Sequence, residues 1–401
     1  MTNDAEFESR ARVAREPFVS VVVPARDAAA HLSRCLDALT NSRYPRFEII
    51  VVDDASADAT AGVARARGCE VLRLEAQGGP AAARNRGARA ARGDLLLFVD
   101  ADVEVRRDTL ARAAAHFTTP DAKAMTDVGA SNDGAGENAV GGECVAAVFG
   151  SYDDAPAETN FASQFKNLFH HYTHQHSPRR ASTFWAGCGA VRRDAFAAVG
   201  GFDARRYARP SVEDIELGYR LRRAGFPVAL DPELRAKHLK RWTLRSLVRA
   251  DVRDRAVPWS RLILEGEGMT DELNLRVAGR VSAALVMLAA ALFAAASSTF
   301  AAALFAPPRA PSASWLLAAS LAAFTSLAVV IFINRGMYQY FFRLRGARFA
   351  AASCAMHLFY FLYGGATFAL CAAAHALRRA SEPRESRTRA ATLARETLAD
   401  D

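Results

Sequence analysis

From Phe18 onward the chain alternates short apolar, β-branched runs with helical patterns. Residues 18–24 (FVSVVVP) read as a strand buried on both faces, Leu32, Leu36 and Leu39 mark one face of a helix over 28–40, and 47–52 (FEIIVV) is a second strand. The alternation continues with a helix over 58–68 ended by Gly68, a strand over 69–74, a helix over 80–92 with Pro80 in its first turn, and a strand over 94–99. Apolar strands joined through helices predict an α/β domain with a mostly parallel, Rossmann-like sheet.

After residue 99 the pattern loosens. Residues 127–142 are rich in Gly, Asn and Asp and read as a loop or insertion. A helix over 158–171, a strand over 181–191, and a helix over 211–224 follow, the last with Ser211 as its cap, Asp214 at its third position and Gly225 at its end. Residues 234–264 mix Arg and Lys with Leu, Val and Trp, an amphipathic pattern expected on an anionic lipid surface. Three runs then lack Asp, Glu, Lys and Arg: 281–306, 310–334 and 349–377, of 26, 25 and 29 residues. Since a spanning helix needs roughly 20, these predict transmembrane helices over about 281–305, 312–333 and 350–376. The expected organisation is a tail (1–17), the α/β domain (18–240), a juxtamembrane linker (241–275), the transmembrane region (276–377) and a charged tail (378–401).

Composition refines this picture. With 51% hydrophobic residues among 401, global disorder is excluded, while the mean hydropathy of −0.01 averages a polar part with an apolar one. The net charge of +8 would suit nucleic acid, anionic lipid or a phosphorylated substrate. Residues 1–17 contain no apolar leader stretch, so the α/β domain is expected in the cytoplasm, on a multi-pass protein of the inner (plasma) membrane. Six cysteines without a CxxC pair suggest neither a zinc ribbon nor a disulfide framework. Spans without Asp, Glu, Lys or Arg argue against a transporter or channel carrying a nucleotide-sensing domain. The 335–348 connection holds four Arg and no acid and should lie on the cytoplasmic side, with its Tyr and Phe residues in a helix at the interface. A third full span then puts the C-terminal tail outside, although six Arg between 378 and 395 pull the other way; a bend at Gly364-Gly365 is the alternative.

The candidate chemistry is acidic. Neither GxGxxG nor GxxxxGK[ST] occurs, which removes dehydrogenase and P-loop readings. Asp53 and Asp54 follow the second strand, and Asp100 and Asp102 the fourth, so both pairs point into the crevice at the strands' carboxyl ends. VSVVVPARD from Val19, EIIVVDDAS from Glu48, GGPAAARNRG from Gly78, GDLLLFVDAD from Gly93 and VEDIELGYRL from Val212 together resemble the inverting family 2 glycosyltransferases of the GT-A fold, over about 18–240.

That resemblance implies a nucleotide-sugar donor, most simply a UDP-sugar, a lipid or lipid-linked acceptor in cell-envelope glycan or glycolipid synthesis, and no nucleic-acid partner. It makes Asp100-Ala101-Asp102 the DxD motif, with Asp102 binding Mn²⁺ or Mg²⁺ and Asp100 nearer the ribose. Asp54 would bond the base, framed by Pro24 and Arg26, and Arg84 would contact phosphate or base unless it lies on an exposed helix face. Glu213-Asp214 is the ED motif, Asp214 the catalytic base and Glu213 its neighbour at the acceptor site. Trp185 and Gly187 belong to the acceptor-side loop, where Trp185 either stacks on a sugar or packs in the core. His238 would be a further metal ligand. His238 to Trp242 (HLKRW) is similar to the QxxRW signature of processive synthases, but has His for Gln and a short spacing from Asp214, which argues against processive transfer. The alternative within enzymes is a polyprenyl-phosphate glycosyl synthase, whose ionised acceptor leaves Asp214 without a base role. His170 and His174, one helical turn apart, could bind metal, although a polar helix near the acceptor accounts for them as well.

Overall fold

The computed structural model describes residues 16–118, 145–267, 269–305 and 313–381. They fall into two compact units: one up to Val248 with Thr270–Arg276 and Gly336–Ser353, the other Arg249–Met269, Val277–Arg335 and the chain from Cys354 on. The expected 127–142 insertion, the connection holding Arg309 and the charged tail from 382 lie outside the described residues.

In the first unit β1 (Val19–Ala25), α1 (Ala29–Thr40), β2 (Phe47–Asp53), α2 (Thr60–Arg65), β3 (Glu70–Arg73), α3 (Gly79–Ala90) and β4 (Leu95–Val99) follow the predicted alternation. Order β3-β2-β1-β4 is parallel throughout. Val21, Val22 and Val23 are fully buried because helices cover both sheet faces; each such side chain contributes about 1.5–3 kcal/mol. Gly87 lets α3 approach β1, since a Cβ there would lie 2.4 Å from Val22 Cγ1.

Past β4 the sheet becomes mixed. β8 (Cys188–Arg192) runs antiparallel to β4, and β6 (Ala147–Tyr152) pairs antiparallel with β8 and parallel with β9 (Val228–His238). β5 (Val103–Val105) and the short β7 (Arg180–Ala181) are antiparallel to β9. The helices here are α4 (Thr109–Ala115), α5 (Phe161–Gln175), α6 (Arg193–Ala198) and α7 (Glu213–Arg223). Two expectations are corrected. The strand expected over 181–191 is broken into β7 and β8, because residues 182–187 leave the sheet and the Ala186 N–H bonds to Asp214 on α7. Ser211 does not cap α7: Glu213 opens that helix, reaches back to accept the Ser211 N–H at 2.9 Å, and makes Asp214 the second helical residue.

After α8 (Leu244–Arg249), the second unit continues the helical run through a π-helical stretch (Ala250–Ala256), α9 (Val257–Leu262) and a second π-helical stretch (Ile263–Glu267). α10 (Val277–Phe305), α11 (Ala313–Ile333) and α12 (Arg335–Ser381) are each long and apolar enough to cross a membrane. Asn334 Nδ2, just past the end of α11, donates to Ser282 Oγ of α10 at 3.0 Å. The break in α12 falls at Gly346, whose φ of 79° suits glycine, and not at Gly364-Gly365, where the alternative topology puts its bend; Gly365 lets α12 pack against Met287.

Candidate active site

The strand-end loops are built from short side-chain ties. The Asp27 N–H donates to Ser56 Oγ at 3.0 Å, Asp27 Oδ1 accepts the Ala57 N–H at 2.8 Å, and the Ala28 N–H reaches Thr60 Oγ1 at 2.8 Å. Asp27 and Ala55 hold left-handed φ values of 46° and 54°, backbone strain concentrated where a ligand would sit. Pro24 is half-buried at the end of β1, and exposed Arg26 pairs with Asp27 at 3.4 Å. Beside them Asp54 is buried, with its oxygens accepting the Gly78 and Gly79 N–H groups at 2.6 and 2.9 Å. It thereby satisfies two orphan amides at the start of α3, where Gly79 takes a φ of 82°.

Arg84, one turn into α3, is only 4% exposed. Its Nη2 lies 2.7 Å from Asp100 Oδ1 and its Nη1 2.9 Å from Glu213 Oε1, so the exposed-helix-face alternative is overturned. Burial opposes its charge, but Asp100, Glu213 and Asp214 outweigh that and raise its pKa further above the ordinary guanidinium range. Burial and the neighbouring Asp102 raise Asp100 against the pull of Arg84. For Asp102, burial is outweighed by His238, Lys240 and His31, which hold it below the usual carboxylate range. His238 Nε2 stands 3.7 Å from Asp102 Oδ2, beyond hydrogen-bond length.

Asp214 is half-buried at the start of α7. Its oxygens accept the Ala186 N–H at 3.2 Å and the Ile215 N–H at 2.9 Å. Burial and the adjacent Glu213 push its pKa up to about 7. The 185–187 loop is tied on its other side by the Asp100 N–H, which donates to Gly187 O at 3.2 Å. Gly187 is required because a Cβ there would lie 2.5 Å from the Trp185 ring. Trp185 itself is half-buried, edge-on to Tyr152 at 4.8 Å and tilted against His170 at 4.9 Å.

The structure thus joins Asp100, Arg84, Glu213, Asp214 and the 185–187 loop in one network, with the Asp102–His238 pair beyond Ala101 and the Asp54 cradle at the start of the helix that carries Arg84. His174 is anchored by Nδ1 at 2.9 Å to Gly150 O and driven by burial down to about 4, and His171 Nδ1 sits 2.7 Å from Tyr152 O. Among the described residues no group of three or more His, Cys, Asp and Glu forms a metal cage. Sequence reasoning missed Tyr152, which stacks on His238 at 4.4 Å; nothing in its neighbourhood reads as a motif.

A half-parallel, half-mixed sheet with acids at its strand ends and an acidic helix start facing them is the GT-A arrangement. Residues 20–200 match the model of Glycosyl transferase family 2, so the chain carries a domain of that family. It is 37% identical over 103 residues to glycosyltransferase AglE of Haloferax volcanii, covering 24% of this chain and 34% of that protein. It is 30% identical over 233 residues to the pre-mycofactocin glycosyltransferase of Mycobacterium tuberculosis, covering 57% and 44%. The alignments thus span a third to under half of these relatives' lengths. Among solved structures, the mannosyltransferase PcManGT of Pyrobaculum calidifontis, in complex with GDP-Man and Mn²⁺, shares the fold with a TM-score of 0.51 at 20% identity, over 86% of this chain and 88% of that one.

Proposed function

We propose that this protein transfers a sugar with inversion from a nucleotide-sugar donor, a UDP-sugar in the simplest case, to a hydroxyl of a lipid or lipid-linked acceptor at the cytoplasmic face of the plasma membrane. The observation that carries the reading is Asp214, a half-buried carboxylate at about 7, held by two backbone N–H groups beside the Trp185 loop. A base of that strength suits a hydroxyl near neutral pH. An acceptor that is already an ionised phosphate would need no base, so Asp214 favours the hydroxyl reading over a polyprenyl-phosphate synthase. Asp214 takes the acceptor proton as the new bond forms at the anomeric carbon, and the bond to the diphosphate breaks with its electron pair leaving on the nucleotide.

Asp102 and His238 fit a divalent ion: a carboxylate kept ionised and an imidazole nitrogen stand close together without a direct hydrogen bond. Mn²⁺ or Mg²⁺ held there would neutralise the departing diphosphate. Asp54, with Pro24 and Arg26, is assigned to the base, and Trp185 with Gly187 to the acceptor. Glu213 orients the acceptor side through Arg84, and Arg84 acts on the donor through Asp100. Residues 336–353 belong to the same unit as the catalytic domain although two apolar helices precede them, which supports α10 and α11 as a hairpin with both ends in the cytoplasm.

The test is binding and turnover on the full chain in detergent. A panel of nucleotide sugars is scanned for thermal protection with and without Mn²⁺. At least one should protect the wild type, and Asp102→Ala should lose the metal-dependent part of that protection. Unchanged metal dependence in Asp102→Ala overturns the metal assignment.

A further inference from the structure

Tyr152 closes β6 at a point where the candidate metal side and the acceptor loop meet. Its ring stacks on His238 at 4.4 Å with planes 14° apart, and meets the Trp185 ring nearly at right angles at 4.8 Å. His170 of α5 packs against it at 4.5 Å. The backbone fixes the ring's origin as strongly as the ring fixes its neighbours: Tyr152 pairs with Ala236 of β9, two residues before His238, and its carbonyl oxygen lies 2.7 Å from His171 Nδ1. An imidazole has two broad orientations about its outer torsion, which turns the ring about an axis in its own plane, so a ring stacked at 4.4 Å opposes any tilt between the orientations that keep the two planes nearly parallel. The Trp185 indole, with no Cβ at Gly187 to wedge it, packs against Tyr152 at 4.8 Å, His170 at 4.9 Å and His174 at 5.9 Å, so Tyr152 is one of the rings that set its angle.

We propose that Tyr152 is a positioning residue that sets the orientation of His238 and Trp185 together, coupling cation binding on one side of its ring to acceptor binding on the other. The inference rests on the functional reading above, because it takes His238 as a cation ligand and Trp185 as an acceptor contact. In this role Tyr152 acts through those two rings. The flat ring is the working part, since stacking requires an aromatic face and the edge contact requires its width.

The experiment compares Tyr152→Phe, which keeps the ring, with Tyr152→Leu, which removes it, in the full-length protein in detergent. Mn²⁺ affinity is measured by electron paramagnetic resonance of the free ion with UDP present, and acceptor KM is measured separately from kcat. Tyr152→Leu should weaken Mn²⁺ binding by about tenfold and raise acceptor KM by a similar factor, and Tyr152→Phe should restore both to within about twofold. A Trp185→Leu variant should raise acceptor KM without changing Mn²⁺ affinity. Wild-type protein that binds no Mn²⁺ with UDP would defeat the functional reading itself. Wild-type binding that persists unchanged in a folded Tyr152→Leu defeats only the positioning role. If Tyr152→Leu does not fold, Tyr152→Phe carries the test: loss of Mn²⁺ affinity in that variant contradicts a role for the ring alone.

Discussion

Arg84 and Glu213 face each other at 2.9 Å inside the protein, and the same guanidinium reaches Asp100 at 2.7 Å. A helix packed on the parallel half of the sheet therefore holds both the strand-end acid of the donor side and the helix that presents Asp214. Breaking one partner of such a buried pair leaves an uncompensated charge.

Arg84→Met should therefore cost about 3–5 kcal/mol in stability, read by chemical denaturation, while the double variant Arg84→Met with Glu213→Gln should recover part of it. A single variant as stable as wild type would show that Glu213 is satisfied elsewhere.

Asp214→Asn should keep nucleotide-sugar affinity while lowering turnover by ~10²-fold or more. In the wild type, acceptor-dependent kcat/KM should rise about tenfold per pH unit below pH 7 and level off above, as Asp214 ionises at about 7. The sign for stability is opposite. A carboxyl whose pKa is raised by folding is ionised at a cost, so its penalty is absent below the ordinary range near 3.8 and grows as pH rises to about 7. Asp214→Asn should accordingly melt above wild type at pH 8 and match it at pH 4. A wild-type profile flat from pH 5 to 8 contradicts this placement of the base.

Gly79→Ala tests the Asp54 cradle. The position has a φ of 82°, and a Cβ would meet Ala208 O at 2.5 Å, so the start of α3 must shift. Destabilisation by more than ~1 kcal/mol and weaker nucleotide binding are expected together. A loss of stability with intact nucleotide affinity would separate the cradle from the base site.

Much of this was legible in the chain. The parallel half was readable from the alternation between Val19 and Val99 because strands covered on both faces are mostly apolar, Ser20, Glu48 and the ends of β3 being exceptions, and the strand-end acids followed from topology. The antiparallel half was not legible: β8 inserts between β4 and β6, a pairing set by tertiary contacts, and the Trp185 loop interrupts what reads as one strand. Ser211 looked like a helix cap, yet Val212 precedes the first helical residue and no side chain caps the helix; Glu213 only reaches back to accept the Ser211 N–H. Arg84 is one arginine among many on a helix of otherwise ordinary pattern, so its burial depended on seeing Asp100 and Glu213 converge on it. The Gly346 break was hidden because Gly364-Gly365 is the more conspicuous pair.

Membrane topology offers a separate check. Three full crossings with a cytoplasmic catalytic domain place the end of α12 outside. Ser381→Cys, in a chain whose native cysteines are replaced, should react with an impermeant reagent in intact cells, and Gln339→Cys should react only after lysis. Protection at 381 would mean that α12 does not cross.

The central claim is metal-assisted sugar transfer with Asp214 as the base, and release of nucleoside diphosphate from a nucleotide sugar by the full chain in lipid vesicles tests it most directly. The account predicts that wild type releases diphosphate from at least one donor in an acceptor-dependent manner, and that Asp214→Asn binds that donor equally well but releases it ~10²-fold more slowly. Equal release by the two proteins would contradict it.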